Sequence, residues 1–218
     1  MAKKKGSGKT RKVKLTWYPI RAPNYLGNGI VGETPVTKFG SPIDRVMKIP
    51  LNLITGNIRH IFIDVFLRIV DVKDGEAKTV YWGHELTRDR VERMVRKRTS
   101  RVDVITDVKT KDGVLLRIKP LIITDGRADY SVQKEIRKRT EALLNENISK
   151  MKLEEFLKDV FEGTLQKVIN AKVKEVHPIK HVEIRKVEVL SMEGVKTGEE
   201  GKEGLAKANE EAEKAATA

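Results

Sequence analysis

Apolar and polar residues alternate over long stretches of the first 124 positions. From Arg59 to Val72, the residues Ile61, Ile63, Val65, Leu67 and Ile69 recur at every second position, the period of a strand with one buried face. The other face carries Phe62, Asp64, Phe66 and Arg68, so it is half covered. Lys73, Asp74, Gly75 and Glu76 supply turn chemistry, and Ala77 to Gly83 is expected to return as the hairpin partner. Val13 to Ile20 and Ile43 to Leu51 read as further strands. Val102, Val104, Thr106 and Val108 alternate again. Lys111, Asp112 and Gly113 then close a second hairpin, with Val114 to Thr124 as its return strand. Pro120 marks that strand as an edge or as the site of a bulge. Residues 21–42 contain Pro23, Pro35 and Pro42 among several glycines and read as an extended loop.

Helical periodicity enters between the hairpins and dominates the last third. Thr87 is placed to cap a short helix, with Leu86 and Val91 as its hydrophobic staple. Val91, Met94 and Val95 form its apolar face, and Arg90, Arg93, Arg96 and Lys97 project opposite. Asp129 to Lys150 carries a helical stripe through Val132, Ile136, Leu143 and Asn147. Leu153, Phe156, Leu157, Val160, Leu165, Val168 and Ile169 mark a second amphipathic helix, with Gly163 inside it. An interior glycine costs roughly 1 kcal/mol relative to alanine. Ile179 to Leu190 returns to strand. There Val182 and Ile184 share one phase, Val187 and Val189 the other, and the switch at Arg185 and Lys186 predicts a β-bulge. A strand-rich first half followed by a two-helix second half is the α+β class. The expected organisation is a basic arm (1–14), a β-rich body (15–124), a helical α/β portion packed on it (125–192) and a charged tail (193–218).

Charge changes this picture from a fold to a function. The 218 residues hold 44 Lys+Arg against 31 Asp+Glu, a formal net charge of +13, with no cysteine. A disulfide scaffold, a Cys-rich zinc module and a cysteine nucleophile are excluded. No apolar run has the length of a membrane span, and no secretory signal is evident. The expectation is a soluble intracellular protein with a polyanionic partner and no membrane association. Lys3, Lys4, Lys5, Lys9, Arg11, Lys12 and Lys14 occur with no acid among them, so the first 14 residues read as a disordered nucleic-acid-binding arm. The tail beyond residue 192 is acidic.

Two ordered segments are also dense in bases. One runs from Arg88 through Arg90, Arg93, Arg96, Lys97 and Arg98 to Arg101. The other holds Arg127, Lys134, Arg137, Lys138 and Arg139. Arginine forks match phosphate geometry bidentately, so these bases are the candidate RNA contacts. Aromatic residues make up 5% of the chain, and no strand carries paired aromatics for base stacking. Binding is therefore expected to be to phosphate and folded shape, as in structured RNA.

Other motifs fail their structural context. Gly6-Ser7-Gly8-Lys9-Thr10 lacks the first glycine of a phosphate loop and the strand before it. Gly27, Gly29 and Gly32 match a dinucleotide fingerprint literally, but Glu33-Thr34-Pro35 follows where a helix is needed. His177 and His181 stand at helical ligand spacing, yet Pro178 removes the helix, and no metal or cofactor is expected. His84 and Glu85 could form a base and its orienter in an RNA-processing enzyme. Polar residues at a strand-to-helix corner account for them as well. No constellation supports catalysis.

Six ordered blocks carry a resemblance. They are Val31-Gly32-Glu33-Thr34-Pro35, Gly83-His84-Glu85-Leu86-Thr87-Arg88-Asp89, Val95 to Asp103, Thr110 to Gly113, Gln133 to Lys138 and Val182 to Leu190. With these, the stretch from about Lys14 to Leu190 closely resembles the small-subunit ribosomal protein family of archaea and eukaryotes called S-one-e or S-three-A-e. The resemblance implies a non-enzymatic constituent of the small ribosomal subunit. It implies a place on the platform near the mRNA exit, against the 3′ region of the rRNA and beside other platform proteins. It also implies an antiparallel β-barrel-like body with an attached α/β portion. Arg96, Lys97, Arg98, Arg101, Arg137 and Lys138 are the implied rRNA-facing bases. A free RNA-binding translation regulator or RNA chaperone would share every one of these basic features.

Overall fold

The computed structural model describes residues 15–37, 42–73 and 75–192. The strands are β1 (Leu15–Arg21), β2 (Ile30–Thr37), β3 (Val46–Pro50), β4 (Ile63–Lys73), β5 (Glu76–Leu86), β6 (Arg101–Asp103), β7 (Thr106–Lys109), β8 (Leu115–Thr124) and β9 (Ile179–Ser191). The helices are α1 (Leu51–Thr55), α2 (Arg88–Met94), α3 (Tyr130–Ile148), α4 (Leu153–Glu162) and α5 (Thr164–Val173). The fold is mixed α/β, with one large sheet and several helices. The basic arm and the acidic tail lie outside the described residues.

The strands form one branched sheet in the order β2-β1-β5-β9-β8-β6. β4 pairs with β5 and continues to β3, and β7 lies beside β6 along β8. β5 is the junction. Ala77 and Lys78 pair in parallel with Ile20 and Arg21 of β1. Further along, Gly83 to Glu85 pair antiparallel with β9. Among the described residues, no pairing joins β2 or β3 to β6 or β7.

The alternation of β4 is realised in its core face: Val65, Leu67 and Ile69 are fully buried. Val65 and Leu67 share one cluster with Leu116, Ile118 and Ile122 of β8, Val187 of β9 and the apolar stripes of the helices, while Ile69 packs with Ile20 and Ala77. Ile136, Leu144 and Ile148 of α3, Phe156 and Val160 of α4 and Ile169 and Val173 of α5 all join the main cluster. Residues of the β-rich segment and of the helical segment therefore share one core and, through β9, one sheet.

Pro120 sits inside the sheet, not at its edge. In β8 and β9, Lys119 pairs with Lys186 and Pro120 with Ile184, leaving Arg185 as the extra residue of a bulge. This is where the phase of β9 switches. On its other side, the Pro120 carbonyl accepts from Val104 N (3.2 Å) in the gap between β6 and β7. The N–H that proline lacks would face this same gap, so the expected continuous strand over 102–108 is broken in two.

Two further expectations are corrected. Residues 30–37 are not loop: β2 pairs along β1, with Pro35 opposite Trp17. β2 ends the sheet, where a missing ladder donor is tolerated. The expected second helix is two helices, because Gly163 takes the left-handed conformation (φ 80°, ψ 13°) and ends α4 while opening α5. A glycine expected to weaken one helix instead makes the corner between two.

Candidate nucleic-acid interface

The basic segment after β5 is held down by one methionine. Met94, the last residue of α2, is buried against Leu121 and Ile123 of β8, with Leu86 and Val91 alongside. The staple pair Leu86 and Val91 thus packs as the sequence leads one to expect. Thr87 does not cap through its side chain: its hydroxyl is buried without a partner.

The helix is shorter than its apolar pattern suggests. Val95 turns to extended backbone (φ −78°, ψ 123°) and lies exposed. Arg96, Lys97 and Arg98 are therefore on a loop, not on a helix face. The Thr99 hydroxyl donates to the Arg96 carbonyl (2.7 Å), and Arg98 adopts φ 66°. Ser100 fastens the loop to the segment before α3. Its N–H donates to Thr124 Oγ1 (3.0 Å), its carbonyl accepts from Thr124 N (3.0 Å) and its hydroxyl accepts from Ala128 N (3.0 Å). Exposed Arg127 is thereby carried beside the Arg96–Arg98 loop.

The second cluster meets the first through Asp103. Arg101 clasps the Asp103 carboxylate with two bonds (2.9 and 3.1 Å), and Arg185 stands 3.6 Å from it. From α3, Arg137 Nε donates to the Asp103 carbonyl (3.4 Å). Two basic segments more than thirty positions apart are thus brought together.

The expected contact residues divide into two groups. Arg90, Arg101 and Arg137 have internal partners. Arg90 pairs with Glu183 (3.2 Å) and lies over the Phe62 ring, 5.6 Å from its centroid. Arg96, Lys97, Arg98, Lys134 and Lys138 are solvent-facing and form no ion pair among the described residues. Arg93 is also exposed, 5.8 Å from the Phe62 centroid. Lys3, Lys4, Lys5, Lys9, Arg11 and Lys12 lie outside the described residues. Arg185 was missed as a member of this face. Its signal was the phase switch in β9, since a bulge re-aims the side chain it adds.

The alternative catalytic pair does not assemble. His84 is buried and bonded through Nδ1 to the Tyr81 hydroxyl (2.6 Å), not to Glu85. Burial lowers its pKa to about 3, so the ring is neutral at pH 7. Glu85 pairs instead with Lys48 (2.7 Å), which also holds the nearly buried Asp64 (3.1 Å). The bonds to Glu85 and Asp64 raise the Lys48 pKa, so this lysine stays charged. The Gly27–Gly32 stretch leads into β2, not into a helix. No group of three metal-ligating side chains occurs among the described residues. No helix among them is long and apolar enough to cross a membrane.

The described residues thus present an ordered, densely basic surface. The Ribosomal S3Ae family model matches residues 2–193, and the chain belongs to that family. It is a ribosomal protein, structural and not enzymatic. Similar proteins are each called small ribosomal subunit protein eS1. That of Sulfurisphaera tokodaii is 34% identical over 80% of this chain and 90% of its own length. That of Methanopyrus kandleri is 38% identical over 80% and 84%. That of Thermoplasma volcanium is 31% identical over 86% and 87%.

Proposed function

We propose that the chain is a constituent of the small ribosomal subunit and binds rRNA through arginine– and lysine–phosphate contacts. The observation that carries this reading is the Arg96–Lys97–Arg98 loop. It is fixed by Thr99 and Ser100, and its three charges form no ion pair among the described residues. A base held in place without an internal partner is free to neutralise a phosphate, and the released counterions favour binding. Lys134, Lys138 and Arg127 extend the same surface. The arm residues Lys3, Lys4, Lys5, Lys9, Arg11 and Lys12 add further phosphate contacts.

The position that fits the sequence blocks is the platform near the mRNA exit, against the 3′ region of the rRNA and beside neighbouring platform proteins. Exposed Leu53 (65%) and Ile58 (78%) supply apolar surface of the kind a protein neighbour covers.

Sedimentation of cell extract through a sucrose gradient tests this, with the chain probed before and after a salt wash. It is expected to remain with small subunits, one copy each. Recovery in the unbound fractions after washing would reject the reading in favour of a free RNA-binding regulator.

A further inference from the structure

A groove of about 730 Å³ opens beside α2, between the turn at residues 58–60 and the corner that Gly163 makes between α4 and α5. Three flat rings line it: His60, Phe62 and Phe161. The His60 and Phe161 centroids are 6.2 Å apart. Two guanidinium groups, those of Arg90 and Arg93, stand 5.6 and 5.8 Å from the Phe62 centroid. Arg59, exposed and without an ion pair among the described residues, stands at the rim. Of the two acids that border the groove, Glu183 is paired with Arg90 and Glu162 faces solvent.

The chemistry of the floor is more telling. Gln166 Nε2 donates to the Val160 carbonyl (2.9 Å), which fixes the orientation of the amide. Gln166 Oε1 is then buried and accepts from nothing. A buried acceptor without a donor is costly, so an occupant that brings an N–H to it is strongly favoured.

We propose that this groove takes a single unpaired base of rRNA, with its exocyclic amino group donating to Gln166 Oε1, its ring against His60 and Phe62, and its phosphate on Arg59. Rings supply the stacking surface that single-stranded recognition uses, and arginines at the rim meet the backbone. The amino group of adenine, cytosine or guanine meets this acceptor, whereas uracil has only its ring N3–H to offer. This inference rests on the rRNA-binding reading and goes beyond it. It adds a base-reading site to a surface otherwise suited to phosphate, and it draws on rings that lie far apart in sequence.

The test uses intact small subunits containing the chain. Ultraviolet irradiation followed by trypsin and nuclease digestion is expected to yield a nucleotide adduct on the peptide from His60 to Arg68. Phe62→Leu keeps an apolar side chain at this half-buried position. It is expected to remove the adduct while the chain still enters subunits. In Phe62→Leu/His60→Ala subunits, one rRNA base should gain reactivity by roughly tenfold, to dimethyl sulfate for adenine or cytosine and to kethoxal for guanine, as loss of one base–aromatic stack implies. Adducts on peptides containing Arg96 to Arg101 but none on His60 to Arg68, with unchanged base reactivity, would sink the groove proposal and leave the rRNA-binding reading standing. A cross-link from the groove to a neighbouring protein would also overturn it, in favour of a protein side chain as the occupant. No adduct anywhere on the chain would reject both readings.

Discussion

Tyr81 Oη lies 2.6 Å from His84 Nδ1, and both side chains are buried. The pair spans the bulge in β5, where Phe66 of β4 faces Gly83 and Leu67 faces Tyr81, skipping Trp82. Burial raises the Tyr81 pKa and lowers that of His84 to about 3, so both stay neutral across the physiological range.

The pair therefore makes stability depend on pH. The folded-state pKa of His84 lies below its unfolded value of 6.5, so the unfolded chain binds a proton first as pH falls. The contribution is complete above pH 6.5 and is lost on acidification toward pH 3. The expected slope approaches about 1.4 kcal/mol per pH unit. Urea unfolding at pH 4.5 to 7 measures it, with the difference between wild type and His84→Gln isolating this one group. Parallel curves for the two proteins would refute the assignment.

Gly83 is expected to tolerate no side chain. A Cβ there would sit 2.5 Å from the Val187 carbonyl oxygen, which is backbone in the facing strand and cannot move aside cheaply. Gly83→Ala should cost roughly 2–4 kcal/mol by prising β9 from β5. Gly29→Ala meets no neighbouring atom, needs no left-handed backbone, and serves as the comparison. Urea midpoints that differ little between the two variants would contradict the close approach.

Removing the loop charges should weaken RNA binding through its salt dependence. Replacing Arg96, Lys97 and Arg98 together by Gln is expected to reduce the slope of log K against log salt by roughly two, at ~0.7–0.9 per phosphate contact. Arg117→Gln alters a charge already paired with Asp107 (2.7 Å) and should leave the slope unchanged. Filter binding of a small-subunit rRNA fragment across a salt series reads both.

Met94→Ala should damage the same interface without touching a charge. Truncating a buried methionine costs about 2–5 kcal/mol, and here the cavity lies under the end of α2. Hydrogen exchange is expected to show lost protection over residues 88–100 first. RNA affinity should fall with every base still present. Uniform loss of protection over the whole sheet would argue against a local anchor.

Much of this architecture was legible because burial is periodic. The face of Val65, Leu67 and Ile69 announces β4, and the phase change around Arg185 announces its bulge. Other features depend on partners that a sequence does not display. Pro35 looks like loop chemistry until β2 is seen to end the sheet. Gly163 and Pro120 were recognised as disruptive, but whether each weakens an element or builds a corner depends on what packs beside it. The basic surface was visible as composition. Its division into paired and unpaired bases was not, because Asp103 and Glu183 reach their arginines across the fold. The groove rings escaped detection for the same reason, since Phe62 and Phe161 are nearly a hundred residues apart.

The position of β9 has a consequence for synthesis. It is the last of the described strands to be translated, yet it lies between β5 and β8. On a growing chain, the β1–β5 and β6–β8 groups of strands have no shared neighbour until Ile179 to Ser191 emerges from the ribosome. Until then β5 and β8 each expose an unpaired edge, the kind of surface that chaperones bind and that seeds aggregation. Synthesis through β9 is thus what joins the two groups of described strands into one sheet.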